Sequence, residues 1–120
     1  VNTPRILVVD DDDFVLRSTE RSLKRNGFEP VATIWPADAL RMAQEQPFAA
    51  VVSDMMMPVM HGLELRRAII EKVPGLDGKF VFVTGGGYTK EMEEELKQFP
   101  HLQKPYGVPD LIAAVRKITG

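Results

Sequence analysis

Four consecutive acids, Asp10 to Asp13, follow directly on the apolar run Ile6-Leu7-Val8-Val9. A second apolar run, beginning at Ala49, ends in Asp54; a third ends in Thr84; Lys104 follows the short stretch Leu102-Gln103. If these runs are neighbouring strands, Asp10, Asp11, Asp54, Thr84 and Lys104 share one rim. Three carboxylates gathered there repel one another and raise at least one pKa unless a cation holds them apart. Oxygen donors without His or Cys suit a hard ion, and so few carboxylates favour Mg²⁺, which keeps waters and accepts phosphate oxygens, over Ca²⁺. An EF-hand is excluded, because no Gly and Glu follow the acids at the required offsets. Lys104 would neutralise an incoming phosphoryl oxygen and help keep Asp54 ionised, while Thr84 would donate to a second oxygen. Asp54 is then the carboxylate nucleophile of a phosphoryl transfer.

Each of these residues also has a plainer reading. Asp12 and Asp13 fit a helix cap and an acidic turn, Lys104-Pro105 alone is a solvated turn, and Gly85-Gly86-Gly87 alone is a flexible loop. The run Met55 to Met60 reads as loop packing. His61 and His101 have no zinc-site spacing and read as surface or partly buried histidines. Trp35 is either an exposed contact or a lid on the second helix, and the frequency with which Trp packs on a core favours the lid.

The elements that must position the rim follow from periodicity. Five short apolar runs alternate with five stretches of helical period, the pattern of a parallel sheet with helices on both faces. Arg5 to Asp10 is apolar on both faces, as a buried parallel strand should be. Asp13 is expected to cap a helix carrying Leu16, Thr19 and Leu23 inward and ending at Asn26-Gly27. The second strand, Phe28 to Thr33, contains Pro30 and so belongs at a sheet edge. Pro36 opens a helix with Ala39, Leu40 and Ala43 on its buried face, and Pro47 closes it. The third strand runs from Ala49 to Asp54, a helix from about His61 to Val73, and a turn at Pro74-Gly75 follows. After the fourth strand, Phe80 to Thr84, an acidic helix carries Met92, Leu96 and Phe99, and the last helix buries Leu111, Val115 and Ile118. Right-handed crossovers then give a flavodoxin-like (βα)5 doubly wound parallel five-stranded sheet in the order 2-1-3-4-5, an α/β fold whose switch point lies between the first and third strands.

Composition sets the frame around this rim. The 120 residues fit a single domain, residues 1–120, with 44% hydrophobic and 27% charged side chains. Zero Cys rules out a disulfide framework and suits a reducing compartment. The apolar runs fall far below the roughly 18 residues of a membrane span, and the N-terminus does not read as a signal peptide. A net charge of -2 with interspersed signs offers no field for nucleic acid. The expectation is a cytoplasmic domain with no direct nucleic-acid or membrane contact of its own.

Together the acidic pair after Ile6-Leu7-Val8-Val9, the run Ser53-Asp54-Met55-Met56-Met57-Pro58 with Gly62-Leu63-Glu64-Leu65, Thr84, and Lys104-Pro105 strongly resemble the receiver domain of two-component response regulators, over essentially the whole chain. The resemblance implies that Asp54 accepts a phosphoryl group from a phosphohistidine on a histidine kinase or histidine phosphotransfer domain. It implies Mg²⁺ ligation by Asp11 and Asp54, with Asp10 acting through a bound water and Met56 supplying a backbone carbonyl. It further implies that Thr84 moves toward the phosphoryl group, that Lys104 pairs with it, and that the bond before Pro105 is cis. Partner docking falls near the rim and the first helix, and the fourth and fifth helices with the fifth strand carry the changed surface, through which phosphorylation could drive homodimerisation.

The sequence also departs from the family's pattern. His101 stands at the switch position, three before Lys104, where the family usually has Tyr or Phe. Gly85-Gly86-Gly87 and Met56 offer no side chain to orient an attacking water. These departures lead us to expect an aspartyl phosphate lasting on the order of minutes or more. A haloacid-dehalogenase-type phosphatase would need a second Asp where Met56 stands, and a degenerate receiver acting only as an interaction module would have lost one of the site residues. The wording Val83-Thr84-Gly85-Gly86-Gly87-Tyr88-Thr89 resembles receivers appended to hybrid sensor histidine kinases; a DNA-binding or stand-alone regulator is the alternative parent.

Overall fold

The computed structural model describes residues 3–120; Val1 and Asn2, part of the expected domain, lie outside the described residues. Five parallel strands, β1 (Arg5–Val9), β2 (Glu29–Thr33), β3 (Ala50–Asp54), β4 (Phe80–Thr84) and β5 (His101–Gln103), form one sheet in the order β2-β1-β3-β4-β5. This is the expected order, with Pro30 on the edge strand, where its missing N–H costs no ladder bond. Between and after the strands run α1 (Asp13–Arg25), α2 (Pro36–Glu45), α3 (Gly62–Lys72), α4 (Lys90–Leu96) and α5 (Val108–Thr119).

Because successive strand residues point to opposite faces, the central strands feed two cores. Leu7, Val9, Val51, Phe80 and Phe82 pack with Ala39 and Ala43 of α2 and with Leu65 and Ile69 of α3. Ile6, Val8, Val52, Val81 and Val83 pack with Leu16 and Leu23 of α1 and with Leu111 and Val115 of α5. Each buried Val, Leu, Ile or Phe side chain among them contributes about 1.5–3 kcal/mol of hydrophobic stabilisation, so β1, β3 and β4 are fixed in depth and register. Their carboxyl ends are therefore a rigid platform.

Several local details differ from the periodicity reading. Asp12, not Asp13, caps α1, accepting from the N–H groups of Phe14 and Val15. The reason lies one turn earlier, where Asp10 Oδ1 accepts from Asp12 N at 2.9 Å and bends the chain a residue sooner. Helix α1 ends as expected at Asn26, with Gly27 at φ 89° and the Phe28 N–H bonded back to Leu23 O. Pro74–Leu76 closes as a 3₁₀ turn. Helix α4 stops at Leu96, so Phe99 reaches the core from the following turn, edge-on to Phe82 and beneath the Arg66 guanidinium. Trp35 is 61% exposed at the mouth of α2, so it does not lie over the helix as a lid.

The loop from β3 to α3 contains a strained turn. Met60 N donates to Pro58 O at 2.8 Å, closing a three-residue turn around Val59, whose φ is 74°. A β-branched residue is a poor choice there, and Val59 is fully exposed, so its side chain gains no burial in return. Val59→Gly should therefore raise stability by about 1 kcal/mol, despite the added unfolded-state entropy, measured as a higher urea midpoint at unchanged slope. A lower midpoint would show that the turn is not strained.

Candidate functional site

The acids at the ends of β1 and β3 converge because those strands are adjacent, with Val9 beside Ser53. Asp10, Asp11 and Asp54 each offer an oxygen within 4.8 Å of the others. Asp10 and Asp54 are buried and Asp11 is exposed. Lys104 donates to Asp54 Oδ1 at 3.2 Å and to Asp10 Oδ2 at 3.4 Å. Its backbone is tied to β4, since Lys104 N donates to Thr84 O at 2.7 Å. The bond from Lys104 to Pro105 is cis.

The electrostatics of this pocket favour a cation. Burial, then the neighbouring Asp10 charge, raise the Asp54 pKa from 3.8 to about 7, against the pull of Lys104. Burial also raises Asp10, although the Asp12 N–H and Lys104 oppose it. Burial alone would lower the Lys104 pKa, but attraction from Asp10 and Asp54 outweighs it and the net shift is upward. One ammonium thus faces two buried carboxylates and an exposed third, an excess of negative charge confined to oxygen donors. That donor set fits a hard divalent cation such as Mg²⁺.

The remaining sequence candidates lie on β4, on β5 and in the loops that follow β3 and β4. Thr84 ends β4, and its Oγ1 accepts from Gly86 N at 3.0 Å, leaving its own proton free to donate elsewhere. Met56, two residues beyond Asp54, is 38% exposed in the loop that leaves β3. His101 begins β5 with an exposed ring whose Nδ1 lies 2.9 Å from Phe99 O. Gly85, Gly86 and Gly87 have open space where a side chain would stand.

Periodicity did not reveal how closely α3 approaches the phosphoacceptor candidate. Gly62 N donates to Met55 O at 2.7 Å, and a Cβ on Gly62 would stand 2.7 Å from Asp54 O and 3.1 Å from Phe82 Cδ1. A glycine at the start of a helix, where it weakens the helix, is the available hint. We expect Gly62→Ala to cost about 1–3 kcal/mol by overpacking and to displace Asp54, read as a lower melting temperature with shifted Asp54 resonances. An unchanged melt would show that the contact relaxes. His61, at the cap of the same helix, accepts from Glu64 N while its own N–H reaches Glu64 Oε1. This reciprocal cap explains a histidine that the sequence reading left without a role.

Comparison with known proteins agrees with this scaffold. The family model described as "Response regulator receiver domain" matches residues 6–116. The receiver protein CpdR of Brucella abortus is 30% identical over 116 residues, covering 95% of both chains. The transcriptional regulatory protein PrrA of Mycobacterium tuberculosis is 46% identical over 69 residues, which are 58% of this chain and 30% of that protein. The matched stretch thus covers under a third of the length of PrrA. In fold it matches chemotaxis protein CheY4 of Vibrio cholerae with a TM-score of 0.87 at 24% identity, over 98% of this chain and 99% of that one. With the five strands in order, the acids at one rim and the family match over nearly the whole sequence, this chain belongs to the response regulator receiver domains of two-component systems.

Proposed function

We propose that residues 1–120 form a single receiver domain in which Asp54 accepts a phosphoryl group from a phosphohistidine. The observation that carries this is the convergence of Asp10, Asp11 and Asp54 oxygens within 4.8 Å, with Lys104 beside them. Asp54 attacks phosphorus through a carboxylate oxygen; the new O–P bond forms as the N–P bond to the donor imidazole breaks, and the imidazole nitrogen recovers the electron pair. Asp10, Asp11, Asp54 and the Met56 carbonyl would hold Mg²⁺, with Asp10 acting through a water. The bound ion would supply charge neutralisation at the phosphoryl oxygens and keep Asp54 ionised at neutral pH.

Lys104 pairs with one phosphoryl oxygen, and Thr84 turns its free proton to another. Rotation of Thr84 gives up the bond from Gly86 N, which couples the site to the glycine loop. His101 occupies the switch position with an exposed imidazole ring in place of the usual Tyr or Phe. The domain catalyses its own phosphorylation and is a switch rather than a turnover enzyme.

The donor is a histidine kinase or a histidine phosphotransfer domain. Phe14, 78% exposed on α1, and Val108, 46% exposed on α5, flank a groove floored by Pro105 and Tyr106 that suits such a partner beside the rim. A phosphorylation-dependent homodimer through α4, β5 and α5 is the second contact in this reading. Among the described residues no helix is long and apolar enough to cross a membrane. The domain works in the cytoplasm, without nucleic-acid or membrane contact of its own. The parent is a hybrid sensor histidine kinase, on the wording around Gly85 to Gly87; a DNA-binding region adjoining this chain in its gene would reject that parent.

Beryllofluoride with Mg²⁺ tests the site, since a working phosphoacceptor binds it at Asp54 and shifts the Thr84 and Gly86 amide resonances. Absence of binding would refute the reading. Because neither the glycine loop nor Met56 orients water, the aspartyl phosphate should persist on the order of minutes or more, followed by phosphate-affinity gel electrophoresis after donor removal. Decay within seconds would reject this.

A further inference from the structure

Two residues near the rim occupy positions where backbone chemistry favours another side chain. Trp35 is the N-cap residue of α2 yet makes no capping bond, and its own N–H is held by Thr33 Oγ1 at 3.1 Å. Ser, Thr, Asp or Asn is the usual choice there. Val59 carries its φ of 74° where Gly or Asn would be relaxed. Side chains that break a local rule without gaining burial are expected at functional surfaces. These two wall the same groove.

The groove has a volume of about 430 Å³ and runs between the loop entering α2 and the loop leaving β3, with Ile34, Leu40, Pro58 and Met60 completing its sides. That volume lies in the range of small-molecule sites, which are mostly apolar with a few placed polar groups. Among the described residues the one formal charge in the lining is Asp11. An occupant that fits has an apolar body for the Trp35 and Val59 walls and a positive end for Asp11. Anions are repelled by the acids from Asp10 to Asp13, and a neutral body leaves Asp11 unanswered.

We propose that the Trp35 groove binds a small amphipathic cation, an ammonium or guanidinium carried on a ring or branched aliphatic body. The effect on signalling rests on the Mg²⁺ reading above, because Asp11 also belongs to the acidic cluster. Two cations drawing on one carboxylate weaken each other's binding by the same factor. The groove is then an inhibitory input to the phosphoacceptor site.

Trp35 is the sole tryptophan of the chain, so its fluorescence reports the groove. The probe is 2-phenylethylammonium titrated into the chain in EDTA, against its neutral analogue 2-phenylethanol. The amine should give a saturable change and bind about two- to fivefold more tightly than the alcohol, a preference lost in Asp11→Asn. Val59→Gly, which should fold at least as well, should weaken both ligands by removing a wall. Added Mg²⁺ should weaken the amine and spare the alcohol. No saturable change at millimolar amine, or equal affinity for amine and alcohol, overturns the site. Amine binding unchanged at saturating Mg²⁺ overturns the coupling. If Mg²⁺ itself fails to bind, the metal reading falls while the EDTA titration still decides the groove.

Discussion

In the Asp54→Asn protein, phosphoryl transfer from a small-molecule donor such as phosphoramidate falls by at least about 10³-fold, because the substitution removes the nucleophile itself. The exchange is nearly isosteric, so the packing of β3 and the position of Lys104 should survive it. Asp10 is the informative control: it is equally buried and also contacts Lys104, but one of its oxygens is held by the Asp12 N–H. Asp10→Asn should slow transfer by weakening the cation site while leaving the modified residue unchanged. Mass spectrometry of the phosphorylated chain distinguishes the two. A phosphoryl group found on Asp10 or Asp11, or full transfer to the Asp54→Asn chain, would reassign the acceptor.

The rim was legible because its causes are local and repeated. Buried parallel strands must be apolar throughout, so an acid immediately after Val9 and another closing Ala50–Asp54 stand out against their surroundings. Pro30 then forces β2 to an edge, which leaves β1 beside β3 and brings the acids together. What escaped the sequence depends on contacts between segments or on choices among equivalent residues. Four successive aspartates each could cap α1, and only the bend set by Asp10 selects Asp12. Phe99 keeps the helical spacing of Met92 and Leu96, yet the chain has already left α4, and its place is fixed by Phe82 and Arg66 from other elements. Gly62 is required by the carbonyl of Asp54, a closeness no period can encode.

Trp35 shows the same limit from the opposite side. Its side chain is large and apolar, so burial is the natural expectation, but the β2 to α2 connection carries it outward at 61% exposure. Thr33 fixes that connection through its hydroxyl, an interaction between residues two apart whose geometry depends on where β2 ends. The exposed rim of the groove is thus a consequence of strand length rather than of hydrophobicity.

Melting curves in EDTA should show the chain losing stability as pH rises from about 5 to 8, opposite to the usual behaviour of paired carboxylates. The sign follows from Asp54, whose pKa is raised from 3.8 to about 7 by burial and by Asp10. Between those values the folded chain holds a proton that the unfolded chain has released, so each step upward in pH favours unfolding until Asp54 is ionised in both states. The partly open mouth of the site screens the charge, so the loss attributable to Asp54 should be about 1–2 kcal/mol, or a few degrees in melting temperature. Asp54→Asn should remove that part of the slope, which separates it from other titrating groups. Saturating Mg²⁺ should stabilise the wild-type chain more at about pH 8 than at about pH 5, because protons and the ion compete for the same oxygens. If the Asp54→Asn chain kept the full wild-type slope, or Mg²⁺ stabilised it as strongly as the wild type, the negative charge of Asp54 could not be what the cation relieves.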